Sequence, residues 1–435
     1  MQQFDYVVVG GGSAGCAVAA RLAQDGRTRV LLLESGPADR NIWIHIPIGY
    51  GKTMYDPRVN WQFKSEPEPH LNHRQIYTPR GRTLGGSSSI NGLIYIRGQH
   101  EDFDDWRALG CEGWGFRDIL PYFRRSERND RGASEYHGAD GPVGVSSIKG
   151  RHELVEAFIG AANAIGVVRN DDFNGAHQRG VGYFQLTTRG GLRSSTAKAY
   201  LRSGIGGKNL EIVTGTHAER VVFEGRRAVG VRYRAGGEII EARATREVVL
   251  SAGTLQSPQL LMLSGIGDGE QLSRHGIPVL HDLPQVGRNL QDHLQARLMY
   301  KCSKPITTND ALRTVLGARA HRPAVVVAQG RPGRGGHPAR GLVREHHGRR
   351  TAAGCAVPLR HHQCRHDGGH TARFFGLHHV GVPVASDEPR RGKPAICGPR
   401  GRTRRAVQLP VDRRRPGDDD SRRAHGAQAR ANAEP

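Results

Sequence analysis

Residues 5–35 read DYVVVGGGSAGCAVAARLAQDGRTRVLLLES. Tyr6 to Gly10 is a short apolar run that ends in glycine, and Gly10, Gly12 and Gly15 then fall in the Gly-x-Gly-x-x-Gly spacing. A small-residue segment follows, with Ala14, Val18 and Leu22 on one helical face, and Val30 to Leu33 is a second apolar run closed by Glu34 and Ser35. The pattern predicts strand, tight turn, helix, strand. The first glycine permits the turn, the second lets a pyrophosphate approach the backbone, and the third lets the helix pack on the sheet. The helix N-terminus, from Ser13 and Ala14 onward, offers free N–H groups and the positive end of the dipole to phosphates. Glu34 lies nineteen residues past Gly15, where a carboxylate accepts hydrogen bonds from a ribose. An ordinary glycine-rich strand–helix turn accounts for the glycines but not for Glu34, so a dinucleotide site is expected here.

The chain has 435 residues, room for two or three domains and a sizeable core. Its net charge of +22 is unevenly spread. Residues 1–320 hold 40 Lys+Arg against 32 Asp+Glu, whereas residues 321–435 hold 23 against 9. The basic balance therefore describes a tail more than a domain. The six cysteines (16, 111, 302, 355, 364 and 397) form no Cys-x-x-Cys pair and no regular framework, which fits a reducing compartment. The first strand begins within five residues, leaving no room for a secretory signal, and no apolar run is long enough to span a bilayer. A cytoplasmic protein is expected, with membrane association left open.

Residues 36–80 contain Pro37, Pro47, Pro57, Pro67, Pro69 and Pro79, which excludes long helices; Trp43, Trp61 and Phe63 serve as local core. A Gly/Ser stretch, PRGRTLGGSSSING, then runs from Pro79 to Gly92, followed by Leu93-Ile94-Tyr95-Ile96. Such a loop brings backbone N–H groups close to a flat or anionic ligand, and Asn91 adds an amide that both donates and accepts. Farther on, Glu247 to Leu250 reads as a strand and Ser251-Ala252-Gly253 as a small-residue turn; Ser257 and Pro258 suit N-cap and N1 of a helix over 258–264, stopped by Gly265.

Together these segments resemble the glucose-methanol-choline (GMC) oxidoreductase family. The loop through Gly92 resembles its first signature, residues 253–267 (GTLQSPQLLMLSGIG) its second, and residues 286–293 (VGRNLQDH) a third characteristic run. The likeness covers about residues 4–315 and is closest to the choline and alcohol dehydrogenases. It implies an α/β architecture: a Rossmann-type FAD-binding domain over 1–315, an incomplete α+β substrate domain inserted at roughly 150–200 and 295–315, and an irregular tail over 321–435. It implies FAD as cofactor, held on the ADP side by Gly10, Gly12, Ser13, Ala14, Gly15, Glu34 and Ser35. The flavin side matches Thr83, Leu84, Gly86, Asn91, Gly92, Leu93 and Ile94, and Ala218 matches a backbone contact to the adenine. Some relatives attach FAD through a histidine one place before this asparagine; Ile90 stands there, so non-covalent FAD is expected. The implied reaction oxidises a primary alcohol, choline-like, aliphatic or aromatic, to the aldehyde, with a histidine taking the hydroxyl proton and hydride passing to flavin N5. The electron acceptor, whether oxygen, a quinone or another, is not specified by any motif. A nicotinamide-dependent dehydrogenase shares the opening glycines but leaves the 81–92 loop unexplained.

Between the signatures, Asp102 to Arg125 reads as two helical pieces broken at Gly110–Gly115. Residues 152–166 read as an amphipathic helix with Leu154, Phe158, Ala161 and Ile165 on the apolar face. Strands are expected at 181–188, 210–214, 219–224, 228–234 and 238–243, with a hairpin at Glu224–Arg227.

From His321 onward the text alternates Arg, Gly, Pro, His and Ala, with one Lys (Lys393), one Ile (Ile396) and no Tyr, Trp or Met. His361, His362, Cys364 and His366 match no standard metal-ligand spacing, and only Phe374 and Phe375 are available to stack on bases; neither a metal site nor specific nucleic-acid binding is expected. Family members carry a His-Pro-x-Gly-Thr-like motif with the catalytic histidine in their last segment. Here His337-Pro338 is followed by Ala339-Arg340, and no catalytic residue is assigned; His293 lies in a structural run, and His45, His70, His73 and His100 read as loop or surface histidines. Such text is what a GC-rich gene yields out of frame, which places a frameshift near codons 316–322. A non-catalytic FAD-binding remnant is the alternative to a working enzyme. Resequencing the locus is expected to show the shifted frame; an intact gene encoding this tail overturns it.

Overall fold

A computed structural model describes residues 2–293, 300, 302–307 and 310 of the chain. The tail with its histidines and Cys364, and most of 295–315, lie outside the described residues. The frame is a six-stranded sheet. Its strands are β1 (Gln2–Val9), β2 (Val30–Glu34), β3 (Leu210–Thr214), β4 (His217–Glu224), β5 (Arg227–Ala235) and β6 (Glu238–Leu250), in spatial order β3-β2-β1-β6-β5-β4. The first four in that order run parallel, and β5 and β4 are added antiparallel through the hairpin expected at Glu224–Arg227. β6 is longer than the sequence suggests. Its first half, Glu238 to Arg243, pairs β5, and Ala242 to Leu250 pair β1, from Gln2↔Ala242 to Val9↔Leu250.

All five residues of β2 are buried, as a strand covered on both faces requires. Alternation sorts the side chains. Val8, Val30 and Leu32 meet Ala19 of helix α1 (Ser13–Leu22) and Ala23, the residue that ends it, on one face. Val7, Val9, Leu31 and Leu33 meet Val221, Val231 and Tyr233 of the hairpin on the other. Each such side chain contributes about 1.5–3 kcal/mol by leaving water. The fully buried residues of α1 are Gly15, Cys16, Ala19 and Ala20; of the expected stripe, Val18 and Leu22 are half-buried and pack against the Val8–Val30–Leu32 cluster, while Ala14 is exposed. Close approach decides the rotation: a Cβ on Gly15 would lie 1.8 Å from the Gly10 carbonyl oxygen, so the smallest residues must face the strand.

Residues 94–193 form a second body of helices and short strand pairs. The expected break between the two helical pieces is present, giving α2 (His100–Ala108) and α3 (Phe116–Ser126). The strand expected at 181–188 is two short pieces, Gln185–Leu186 and Thr188–Arg189. Helix α4 (Glu153–Ala164) forms where expected, but Ile159 is its buried residue while Phe158 and Ile165 are 45% and 81% exposed. Helix α5 (Gly253–Leu263) starts five residues earlier than expected, directly after the Ser251-Ala252 turn, and carries Pro258 inside it. A proline in the second turn gives up one N–H bond, to the Thr254 carbonyl, and α5 extends through it. Gly265, at φ +88°, ends it as predicted. No helix among the described residues is long and apolar enough to cross a membrane.

The second body is tied by a buried polar network. Arg97 Nη2 donates to Glu127 Oε2 at 2.9 Å, Asn129 Nδ2 to Glu127 Oε1 at 2.9 Å and to Gln185 Oε1 at 3.0 Å. The His137 ring lies 3.0 Å from Glu127 and 2.9 Å from Asp172. Hydrogen bonding to Asp172, then to Glu127, raises His137 to about 9 against burial. Burial pushes Glu127 up, but its bonds from His137, Asn129 and the Gly138 N–H hold it below its ordinary value. The signs are opposite. The histidine's contribution is full below its ordinary value of 6.5 and is lost as pH rises through about 9. The carboxylate's contribution is lost as pH falls through the acidic range. Thermal melts are expected to show a midpoint that declines between pH 6.5 and 9, and His137→Gln to lose about 3 kcal/mol near pH 6.5 and most of that slope. A flat wild-type profile across that window removes the histidine from the network's energetics.

Candidate cofactor site

The chain leaves β1 toward β2 on one side, while β6 lies on the other. This reversal opens a crevice at the carboxyl ends of β1 and β6, where α/β sheets bind ligands. The turn after β1 fills its floor. Gly10, at φ +102°, donates to the Leu33 carbonyl at 2.8 Å, and a Cβ there would sit 2.6 Å from the Ser251 oxygen, in the turn that follows β6. Gly12 caps α1, and Ser13 and Ala14, in the helix's first turn, are exposed to the crevice mouth. A Cβ on Gly12 would meet nothing nearer than 3.8 Å. The three glycines thus divide as the spacing predicts: Gly10 turns, Gly15 packs and Gly12 leaves space.

Glu34 ends β2 at 6% exposure. Its carboxylate accepts the Gly11 N–H and the Gly36 N–H, each at 2.8 Å, so it braces the glycine turn directly. Burial pushes it up to about 7 despite those two bonds and nearby Arg82. Each oxygen keeps a further lone pair for a ribose hydroxyl. Ser35 is half-buried beside it. The Glu34 carbonyl accepts the Thr216 N–H at 3.0 Å and Gly36 O accepts Gly215 N–H at 2.9 Å. The start of β4 is thereby drawn to the Glu34 end of the crevice, two residues from Ala218, which is half-buried and opposite Tyr233.

The Gly/Ser loop closes over this floor. Thr83, fully buried, donates to the Pro37 carbonyl at 2.8 Å. Leu84 approaches Gly11 so closely that a Cβ there would lie 3.0 Å from its side chain. Gly85 N–H donates to the Gly11 carbonyl at 2.7 Å, and a Cβ on Gly86 would lie 2.7 Å from Gly12 Cα. The loop then rises to Asn91 and Gly92, both exposed; a Cβ on Gly92 would meet open space. Asn91 Oδ1 accepts the Leu93 N–H at 3.1 Å. Leu93 adopts φ +66°, uncommon for a residue with a side chain, and its carbonyl accepts Thr187 N–H at 2.8 Å. Ile94 begins the short strand Ile94–Tyr95, paired with Gln185–Leu186. The structure therefore brings together Gly10–Gly15, Glu34–Ser35 and Thr83–Gly86. Asn91 to Ile94 extend the same loop, and Ala218 lies on β4, two residues past the Thr216 that bonds the Glu34 carbonyl.

Three residues at the site escaped sequence reading. Arg82 Nε is buried without a partner beside Glu34, and its guanidinium lies 5.2 Å from the Trp61 ring. Thr216 anchors β4 to Glu34. Arg193, fully buried, bonds Asn91; its only sequence signal is a lone arginine in small-residue text. His293 is exposed, and among the described residues no cluster of three His, Cys, Asp or Glu is poised to hold a metal.

The observed cradle fits a dinucleotide: open space at Gly12 and Gly92, an orphaned Arg82 donor and spare Glu34 lone pairs lie along one path. Gly12→Ala is expected to leave the unfolding free energy within about 0.5 kcal/mol of wild type while weakening binding of adenine dinucleotides at least tenfold. Gly15→Ala, which forces a Cβ into Gly10, is expected to cost about 1–3 kcal/mol or more of fold stability. Equal losses of stability in both variants remove the division of roles among the glycines.

Residues 4–295 match the GMC oxidoreductase family. An alcohol dehydrogenase [acceptor] of Pseudomonas putida is 47% identical over 299 residues, 68% of this chain and 54% of that protein. The mitochondrial choline dehydrogenase of Mus musculus is 46% identical over 316 residues, 71% of this chain and 53% of that protein. Among solved structures, an FAD-dependent oxidoreductase from Chaetomium thermophilum superposes with a TM-score of 0.68 at 29% identity, covering 75% of this chain and 59% of that one. The chain spans about half the length of the curated relatives it matches.

Proposed function

The chain belongs to the GMC oxidoreductase family, and from that premise we propose that it binds FAD and that its chemistry is the oxidation of a primary alcohol to the aldehyde. The observation that carries the reading is the continuous backbone cradle from Gly10–Gly15 through Gly85–Gly86 to Asn91–Ile94, with Gly85 bonded to Gly11 at 2.7 Å. Bound FAD supplies the two-electron acceptor for hydride from the alcohol carbon. The protein's own part is recognition and positioning. Gly12, Ser13 and Ala14 present the N-terminus of α1 to the pyrophosphate. Glu34 and Ser35 take the ribose, Ala218 the adenine edge. Thr83, Leu84 and Gly86 cover the middle of the cofactor, and Asn91, Gly92, Leu93 and Ile94 hold the flavin end. Ile90 is packed with Ile44 and Val59 and offers no nucleophile, which supports non-covalent attachment. A choline-like, aliphatic or aromatic alcohol is the substrate class, in line with the names of the two dehydrogenases above.

A second reading, a cofactor-binding remnant without catalysis, is favoured by one observation. Leu109, Trp114, Phe158, Ile165 and Val168 are exposed by 45–83%, apolar surface of the kind that ordinarily packs against further protein. On this reading the segment after about residue 316 is a frame-shifted replacement for the part carrying the base.

The purified protein is expected to show flavin absorption bands and to release all flavin to the supernatant on acid precipitation. Bleaching by choline or a primary alcohol under anaerobic conditions supports the enzyme; flavin bands that persist support the remnant. Absence of flavin, with no binding of added FAD, overturns both readings, and flavin retained in the acid pellet overturns non-covalent attachment.

A further inference from the structure

Arg193 is the largest fully buried side chain among the described residues. Its Nε donates to the Ile44 carbonyl at 2.8 Å. Nη1 donates to the Ser88 carbonyl at 3.0 Å and to Asn91 Oδ1 at 2.7 Å, and Nη2 to the Asn91 carbonyl at 2.8 Å. All four acceptors are neutral. Among the described residues no carboxylate forms an ion pair with it, in contrast to Arg97, whose buried guanidinium faces Glu127. Burial accordingly lowers Arg193 to about 10, still cationic at neutral pH.

A buried cation without a counter-ion is expensive, and natural structures retain one where something else uses it. Here it lies against the inner side of the Ser88–Asn91 turn, whose outer side is exposed at Asn91 and Gly92. It also links that turn to the 42–45 helix and to Leu192–Arg193, segments more than a hundred residues apart in the chain. The fork geometry matters: one planar guanidinium fixes both the backbone and the side-chain amide of Asn91, which a point charge cannot do. Asn91 in turn holds the left-handed Leu93.

We propose that Arg193 is a positioning residue of the flavin end of the cofactor site: it locks the Ser88–Asn91 turn, and its unpaired charge favours the cofactor when electrons are placed on it. The inference rests on the FAD reading above. Reduction adds negative charge to the ring system, and a fixed cation in a low-dielectric wall stabilises that form over the oxidised one.

The test compares the whole chain with Arg193→Gln, neutral but hydrogen-bonding, and Arg193→Lys, charged but without the fork. FAD and ADP affinities are read by fluorescence and calorimetry, and the flavin midpoint potential by anaerobic reductive titration. ADP reports the glycine cradle alone. Both variants are expected to bind FAD at least tenfold more weakly and ADP within twofold of wild type. Arg193→Gln is expected to shift the midpoint to more negative values by a tenfold change in the reduction equilibrium, ~30 mV for a two-electron couple, while Arg193→Lys stays near wild type. Arg193→Gln that fails to fold while Arg193→Lys folds and keeps ADP binding also supports the charge. Equal loss of ADP and FAD in both variants makes Arg193 a general core residue and overturns the proposal, as does an unshifted potential in Arg193→Gln. A wild-type chain that binds neither FAD nor ADP overturns the cofactor reading itself instead.

Discussion

The Gly85 N–H bonds the Gly11 carbonyl at 2.7 Å, and the rest of the site depends on that contact. It joins two loops 74 residues apart in sequence with no side chain between them. Such an approach needs glycine on the Gly/Ser-loop side, since a Cβ on Gly86 would lie 2.7 Å from Gly12 Cα. The same constraint sets the helix below. Because Gly15 faces Gly10, α1 presents Cys16, Ala19 and Ala20 inward, and its N-terminus is aimed into the crevice between β1 and β6. Glu34 completes the joint from beneath by accepting Gly11 and Gly36. The carboxylate that ends β2 is therefore a structural element in its own right: it satisfies two buried backbone donors.

The two bodies of the molecule are held by different physics. Around the sheet, alternation along β1 and β2 sends aliphatic side chains to both faces, and burial supplies the stabilisation. In residues 94–193 the centre is ionic: Arg97, Glu127, His137 and Asp172, with Asn129 and Gln185 completing the bonds. Ion networks of this kind are directional rather than deep in energy. They fix the relative placement of short loops, which suits a region made of pieces only two to twelve residues long. Gln178 and Asn174 extend the ties to the Arg97 and Tyr95 carbonyls, just past the Gly/Ser loop. The polar body thus reaches the site through these backbone carbonyls and through the buried Arg193 side chain, while Val143 packs against the Cys16–Ala20 side of α1.

What the sequence disclosed, and what it did not, follows the range of the interactions. The strand–turn–helix–strand opening was legible because its determinants are local: glycine spacing, an apolar run and a terminal acid. The hairpin at Glu224–Arg227 and the stop at Gly265 were legible for the same reason. The start of α5 was misplaced because Ser257-Pro258 is a good cap by local chemistry, whereas the turn at Ser251-Ala252, pressed against Gly10, sets the true start. On α1, Val18 and Leu22 do pack on the sheet, but Gly15, Cys16, Ala19 and Ala20 lie deepest, because close approach to the strand outweighs hydropathy there. In α4 the expected apolar stripe through Phe158 and Ile165 is exposed, and Ile159 is the buried residue. Arg193 was invisible for a different reason. Its four acceptors lie on segments 102–149 residues away, and nothing in the text around it records that they converge.

That convergence explains a local oddity. Leu93 holds a left-handed backbone that costs on the order of 1–3 kcal/mol, tolerable only where the surroundings over-determine it. The surroundings here are specific: Asn91 Oδ1 accepts its N–H, Thr187 donates to its carbonyl through both N–H and hydroxyl, and Arg193 clamps Asn91 from behind. Relaxing Leu93 to an ordinary conformation would break the Thr187 bonds and unseat the strand pair at Ile94–Tyr95. Because the strain sits next to Gly92, where a Cβ would meet only open space, it bends the chain so that the loop presents backbone to the crevice while Leu93 turns its side chain into the core at 3% exposure. A relaxed backbone at this position serves one of those two ends, and the left-handed one serves both.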